Sequence, residues 1–480
     1  MNRPNILWIC TDQQRWDSLG CYGNHFLQTP NLDRLADEGT IFENAYCQSP
    51  VCTPSRSSFL TGRYPRTTRC RQNGQDIPDD EILVTRILAD HGYSCGLAGK
   101  LHTSSVDIRF CRDMERRIDD GYSEFHWSHH AGPGWGLANE YWAWLDERGV
   151  QFETEQHPDS PWVFEGMPED LHQTTWCAEK AEEFIRQNAA SGAPWLFSVN
   201  IFDPHHPFDP PASRLERYLD ILDQIPLPDY AEGELENKPP YQMKDHRGAY
   251  GDSDNMVFEE MTAREHRLVR AAYWAMCDLV DAQVGRLLDV LEKTGQRENT
   301  IVIFTSDHGE MLGDHGLYMK GPYFYEPAVH VPLIISCPGL IAPRRSQALV
   351  ELTDMAQTLL DAAAVDHHAG MQGSSLWPIL TGEADADNHR EDIYCEYYNA
   401  MPYHQDPAAH LTMIRTTSHK LIVDHSNGGG ELYDLDADSH EHYNLWNDGA
   451  GRGIKSEMLL RLCNRMAWTV DPLPERTGRY

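Results

Sequence analysis

Four short, largely apolar runs each stop on a charged or polar cluster. Ile6–Cys10 runs into Thr11-Asp12, Ser94–Gly99 into Lys100, Trp195–Ile201 into Asp203-Pro204-His205-His206, and Thr300–Thr305 into Ser306-Asp307-His308. Runs of this length without polar alternation are strands buried on both faces. Val331–Ser336 is a further strand of this kind, and Ile41–Tyr46 is extended. Helical patterns lie between them. One opens at Thr29-Pro30-Asn31, with Leu32, Leu35 and Ala36 on one face, and stops at Gly39. Others span Asp79–Asp90, Thr262–Lys293 and Thr353–Ala364. Alternating strands and helices predict an α/β fold: a large mixed, mostly parallel sheet sandwiched by helices. Ligands of such sheets bind beyond the carboxyl ends of the strands. Asp12, Lys100, Asp203–His206 and Asp307 are therefore expected to converge.

The texture changes near residue 386. Tyr394–Tyr398, Leu411–Arg415 and Lys420–Val423 read as short antiparallel strands. A Gly-rich turn follows at 427–430, then Glu431–Leu435, and a last helix spans 454–467. The expected organisation is a catalytic domain over 1–385 and a small α+β subdomain with a short antiparallel sheet over 386–480. Two segments are harder to place. Residues 105–175, rich in Trp, His and charge and holding Gly-Pro-Gly at 132–134, read as an excursion carrying substrate contacts. The Trp and His residues of 126–144 could stack on a sugar or simply pack. Arg109, Arg112, Arg116 and Arg117 form either a basic wall or a salt-bridged face. Residues 209–255, with many Pro, Tyr and acidic residues, read as a long loop.

Composition narrows the partners. Seventy-four acidic against 40 basic side chains give a formal charge of −34. Such a surface repels nucleic acid and anionic membranes. No run of 18 apolar residues occurs, so no membrane-spanning helix is expected. The N-terminus reads as a first strand rather than a leader, so a cytoplasmic location is expected. Twelve cysteines without a C-x-x-C pair or zinc-type spacing are expected to be reduced and structural.

Cys52 is the exception. It opens Cys52-Thr53-Pro54-Ser55-Arg56-Ser57-Ser58-Phe59-Leu60-Thr61-Gly62. Pro54–Leu60 reads as a helix with Pro in its first turn, which sets Cys52 at a helix start, where unpaired N–H groups favour an anion. This segment resembles the signature of the type I, formylglycine-dependent sulfatases of the alkaline phosphatase superfamily. Gly99-Lys100-Leu101-His102, Pro204-His205-His206-Pro207-Phe208 and Gly313-Asp314-His315-Gly316 with Lys320 resemble further motifs of that family. The segment from Glu431 to Leu445 resembles its C-terminal end, with Ser439 where Pro is usual. The resemblance runs from about residue 4 to about residue 446.

The resemblance implies a sulfuric ester hydrolase of arylsulfatase type. Cys52 would be oxidised to formylglycine (3-oxoalanine) by a formylglycine-generating enzyme that recognises Cys, Pro and Arg at these spacings. The hydrated aldehyde would attack sulfur in line, leaving a sulfate hemiacetal and cleaving S–O. One divalent metal, calcium first and Mn²⁺ or Mg²⁺ as alternatives, would be held by Asp12, Gln13, residue 52, Asp307 and His308. Gln13 and His308 depart from the usual acidic and Asn ligands and resemble a sub-branch that includes phosphonate monoester hydrolases. Arg56 would bind the diol or sulfate oxygens. Lys100, Lys320 and His205 would contact the sulfuryl group, with His206 and His315 as further contacts. His205 or Lys320 would protonate the leaving alcohol, and His102 would take the proton that re-forms the aldehyde. The implied substrate is a sulfated saccharide or small alcohol. The alternatives are a phosphonate monoester or phosphodiester hydrolase using the same site, and a non-catalytic binding protein on this fold. Oligomeric state is not legible.

Overall fold

The computed structural model describes residues 3–111, 113–132 and 138–476. Arg112, and Trp135 with the rest of 133–137, lie outside them. A nine-stranded sheet forms the centre. Its strands are β1 (Asn5–Thr11), β2 (Thr40–Tyr46), β3 (Ser94–Gly99), β4 (Glu124–Trp127), β5 (Trp195–Asn200), β6 (Thr300–Ser306), β7 (His330–Val331), β8 (Leu333–Ser336) and β9 (Arg344–Glu351). Their order is β9-β2-β8-β6-β1-β5-β3-β4, with the short β7 paired to β2. β1 lies parallel between β5 and β6, and β3 parallel between β5 and β4. Only β7 and β8 run antiparallel to their neighbours. The single strand expected over Val331–Ser336 is split because Pro332 has no N–H to give the ladder.

Both faces of the sheet are buried, as the uniformly apolar runs require. Ile6, Trp8 and Cys10 of β1 join one cluster, and Leu7 and Ile9 join the other. Helices α1 (Pro30–Asp37), α2 (Cys52–Thr61), α3 (Gln173–Asn188), α4 (Ala263–Lys293) and α5 (Asp354–Ala362) cover these faces. α2 and α5 pack with Trp8; α1, α3 and the C-terminal half of α4 pack with Leu7. α4 begins with a reciprocal cap: Thr262 accepts from the Glu265 N–H, and the Glu265 side chain accepts from the Thr262 N–H.

A second, antiparallel sheet orders β10 (Ile393–Tyr398), β11 (His410–Arg415), β12 (His419–Asp424) and β13 (Gly430–Asp434) in sequence. One face packs with α6 (Arg452–Trp468) through Ile414, Leu421, Leu432 and Leu462. The other face, with Cys395, Met413 and Ile422, joins the cluster that contains Trp8.

Two expectations need correction. Residues 209–255 are not a long loop. They fold into helices Ala212–Leu219 and Pro240–His246 with single helical turns between. Leu215 and Tyr218 recur on one buried face, a short period that the surrounding Pro and acidic residues mask. The helix expected over Asp79–Asp90 starts only at Val84, because Leu83 is extended.

Candidate active site

The carboxyl ends of β1, β3, β5 and β6 meet where expected, and the N-terminus of α2 points into the same place. Cys52 is the first residue of α2, preceded by an extended Val51. Every residue of α2 is buried, and three of its hydroxyls are bound internally. Ser55 Oγ donates to Asp307 O at 2.6 Å, Ser58 Oγ to Arg63 O at 2.6 Å, and Thr61 Oγ1 to Ser57 O at 2.7 Å. This fixes the helix end, and with it the thiol, against β6. Cys52 itself is 1% exposed.

Arg56 lies one turn on. Its Nε donates to Asp307 Oδ2 at 2.8 Å, its Nη2 to Asp12 Oδ2 at 3.0 Å and its Nη1 to Lys100 O at 2.8 Å. It therefore clamps the two strand-end carboxylates rather than projecting toward a ligand. Burial opposes ionisation of Asp12, but Lys100, His205, Arg56 and Lys320 together hold its carboxyl well below the ordinary range. Lys100 Nζ is 2.6 Å from Asp12 Oδ2 and 3.6 Å from Cys52 Sγ. Its backbone is locked to β5: Lys100 N donates to Asn200 O, and Asn200 Nδ2 donates to Lys100 O. Gly99 makes that approach possible, since its φ is +106° and a Cβ there would lie 1.9 Å from Asn200 O.

Lys320 is the hub on the other side. Its Nζ lies 3.0 Å from Cys52 Sγ, 3.0 Å from His205 Nε2 and 3.4 Å from His308 Nε2, and donates to Gln13 Oε1 at 2.8 Å. His308 Nε2 is 3.1 Å from Cys52 Sγ. Burial and Asp12 push the Cys52 thiol up, yet Lys100, Lys320 and His308 outweigh them and bring it to about 7. Burial lowers His308, but Asp307 and Cys52 raise it to about 9 against the opposing charge of Lys320. The cluster is thus poised to stabilise an anion at position 52.

The remaining predicted residues fall in two groups. His205 stacks on His206 with centroids 4.0 Å apart, and His206 Nδ1 lies 3.5 Å from Gln13 Nε2. His102 is buried against His129 at 4.7 Å, and its Nδ1 has no hydrogen-bond partner among the described residues. Burial first, then Lys100 and His129, keep its imidazole well below its ordinary value, so it stays neutral. His315 is placed elsewhere. It stacks on Tyr325 at 3.7 Å and faces Glu234, and no hydrogen bond or ion pair among the described residues ties it to Cys52. The basic wall does not form either: Arg109 pairs with Asp107, Arg116 with Asp79 and Arg117 with Asp120. Trp127 and Trp144 are buried and donate to Glu115 and Glu179.

Sequence reasoning missed three contributors. Buried Glu310 accepts from Gln13 Nε2 and from the Leu312 and Met319 N–H groups, which holds the loop leading to Lys320. Its signal was an acid directly after Asp307-His308-Gly309. Glu115 accepts from the N–H groups of His102, Thr103 and Ser104, and carries no sequence signal. Tyr250 packs 6.1 Å from His206 and was hidden in the supposed loop.

The donors fit a divalent cation. Asp12, Cys52, Asp307 and His308 each offer one ligand atom, all within 4.8 Å of one another. His308 Nδ1 donates to Gly309 O at 2.9 Å, which leaves Nε2 facing the cluster. Residues 4–365 match the family model described as Sulfatase. The chain belongs to the sulfatase family. Residues 313–467 also match the model for the C-terminal part of N-sulphoglucosamine sulphohydrolase. This sulfatase is 29% identical to an arylsulfatase of Clostridium perfringens, over 93% of this chain and 90% of that protein. It is 27% identical to an N-acetylglucosamine-6-O-sulfatase of Bacteroides thetaiotaomicron, over 92% and 83%. Its fold matches a phosphonate monoester hydrolase of Agrobacterium radiobacter with a TM-score of 0.83 at 25% identity, covering 98% of this chain and 96% of that one. The sulfatase is accordingly a sulfuric ester hydrolase.

Proposed function

We propose that this sulfatase hydrolyses the sulfate monoester of a saccharide or small alcohol by S–O cleavage, with residue 52 acting as a formylglycine hydrate. The supporting observation is the position of the Cys52 side chain, gripped by Lys100, Lys320 and His308 at a helix N-terminus. The relative that acts on N-acetylglucosamine 6-O-sulfate supports a saccharide substrate. Asp12, residue 52, Asp307 and His308 would hold the cation, calcium in our reading, with Gln13 beside them through Lys320. When bound, that cation supplies a Lewis acid that favours the ionised nucleophile and polarises the sulfuryl oxygens.

The chain's own groups do the rest. Arg56 fixes Asp12 and Asp307 so that the cluster is preorganised. Lys100 and Lys320 neutralise charge that develops on the sulfuryl oxygens. Lys320 Nζ, directly or through His205 Nε2 at 3.0 Å, delivers a proton to the departing alcohol oxygen. Neutral His102 accepts the proton released when the hydrate collapses and sulfate leaves. Lys100→Ala and His102→Ala are each expected to lower kcat about 10²-fold. Steady-state kinetics on an aryl sulfate check this, and a loss under threefold in both removes the assigned roles. In ¹⁸O-labelled water, label in the product alcohol would mean C–O cleavage and overturn the scheme.

Peptide mass spectrometry across residues 47–56 tests the nucleophile itself. Protein made with a formylglycine-generating enzyme should lose about 18 Da at Cys52, the change from thiol to aldehyde. An unmodified Cys52, in a host that converts other sulfatases, would overturn the assignment. A second reading, phosphonate monoester hydrolysis at the same site, is favoured by Gln13 and His308 and by the phosphonate monoester hydrolase relative. The ratio of kcat/KM on an aryl sulfate to that on the matching aryl phosphonate separates the two.

A further inference from the structure

We propose that Glu234, His315 and His442 hold a second divalent cation of the zinc class, apart from the cluster around Cys52. Three remote segments bring these residues together: a helical turn at Glu234–Asn237, the turn Gly313–Gly316, and the chain that follows β13. One ligand atom from each lies within 4.8 Å of the others. Glu234 Oε2 is 2.6 Å from His442 Nδ1 and 3.3 Å from His315 Nδ1.

The carboxylate is the decisive feature. The Glu234 side chain is 2% exposed, and its Oε1 is buried with no hydrogen-bond partner among the described residues. A buried carboxylate oxygen left unpaired costs stability, and a cation bound to the same carboxylate would satisfy it. The histidines are already aimed. The His315 ring is fixed by stacking on Tyr325 at 3.7 Å, and its backbone N–H donates to the Asp229 backbone carbonyl at 2.7 Å. His442 Nε2 lies 3.2 Å from Asp229 Oδ1, and Asp229 Oδ2 is 2.5 Å from His440 Nδ1. An imidazole whose far nitrogen is held by a carboxylate is the arrangement that orients zinc ligands. Two imidazoles and one carboxylate select a borderline metal such as Zn²⁺ over Ca²⁺ or Mg²⁺, with water taking the fourth position. The cation would staple the loop leading to Lys320 onto the C-terminal segment.

Calorimetric titration with ZnCl₂ of the full-length protein, with calcium in excess to occupy the Cys52 cluster, tests this. Wild type is expected to take up one equivalent of Zn²⁺. His442→Ala and Glu234→Gln should weaken that uptake by about 100-fold, and Asp229→Asn by about tenfold. X-ray absorption at the zinc edge of the wild-type complex should show imidazole scattering and no sulfur. No uptake by wild type, unchanged uptake in the variants, or sulfur in the shell would each overturn the proposal. Sulfur would instead place the zinc at a cysteine. If His442→Ala proves unfolded by circular dichroism, the exposed Asp229→Asn variant and the wild-type spectrum decide the question.

Discussion

Cys52→Ala is expected to lower kcat on any sulfate ester by about 10⁴-fold or more while the protein stays folded. The size of the effect follows from the site's construction. Lys100, Lys320 and His308 all converge on one atom at position 52. None of them is positioned to attack sulfur in its place: Lys100 is paired with Asp12, Lys320 donates to Gln13, and His308 Nε2 is turned into the proposed cation cluster. The substitution removes one buried sulfur and leaves the helix-forming Ala, so the fold tolerates it. Activity within tenfold of wild type, in protein with an unchanged circular dichroism spectrum, would remove residue 52 from the chemistry.

Arg56→Leu is expected to fail differently, in stability as well as turnover. The guanidinium is 1% exposed and bridges two carboxylates that are themselves wholly buried. Removing it strands Asp12 and Asp307 with less compensation, and removing one partner of a buried pair costs about 3–5 kcal/mol. The sign of the cation effect follows. A ligand that binds only the folded state stabilises it, by about 2.7 kcal/mol at one hundred times its Kd. Added calcium should therefore raise the Tm of Arg56→Leu and recover part of the loss, while kcat stays at least about 10²-fold down. A variant melting within one or two degrees of wild type without calcium would refute the clamp.

The parts of this architecture that were legible in the sequence are those governed by burial. Ile6–Cys10, Ser94–Gly99 and Thr300–Thr305 carry no charged side chain, so each reads as an interior strand whose carboxyl end delivers the next residues to the site. That logic places Asp12, Lys100 and Asp307 together before any coordinate is known. Arg56 was legible as a site residue but not in its function, because its two carboxylate partners come from strands 44 and 251 residues away. Glu115 and Tyr250 were not legible, since their roles depend on where irregular chain returns to the site. His315 sits in a motif with Lys320, yet a positive φ of 57° turns its ring toward Glu234.

The burial of α2 also sets a schedule for the chain's synthesis. Pro54, Ser55 and Arg56 are as enclosed as Cys52, so a modifying enzyme that reads side chains at these positions meets nothing to read on the finished molecule. Lys320, which closes one side over the thiol, is translated 268 residues later. If residue 52 is converted as proposed, the interval between those two events is the window for that conversion, and faster folding of the N-terminal strands would narrow it. On that proposal the converted fraction is set by a race between modification and collapse, and slower translation or a lower growth temperature would raise it.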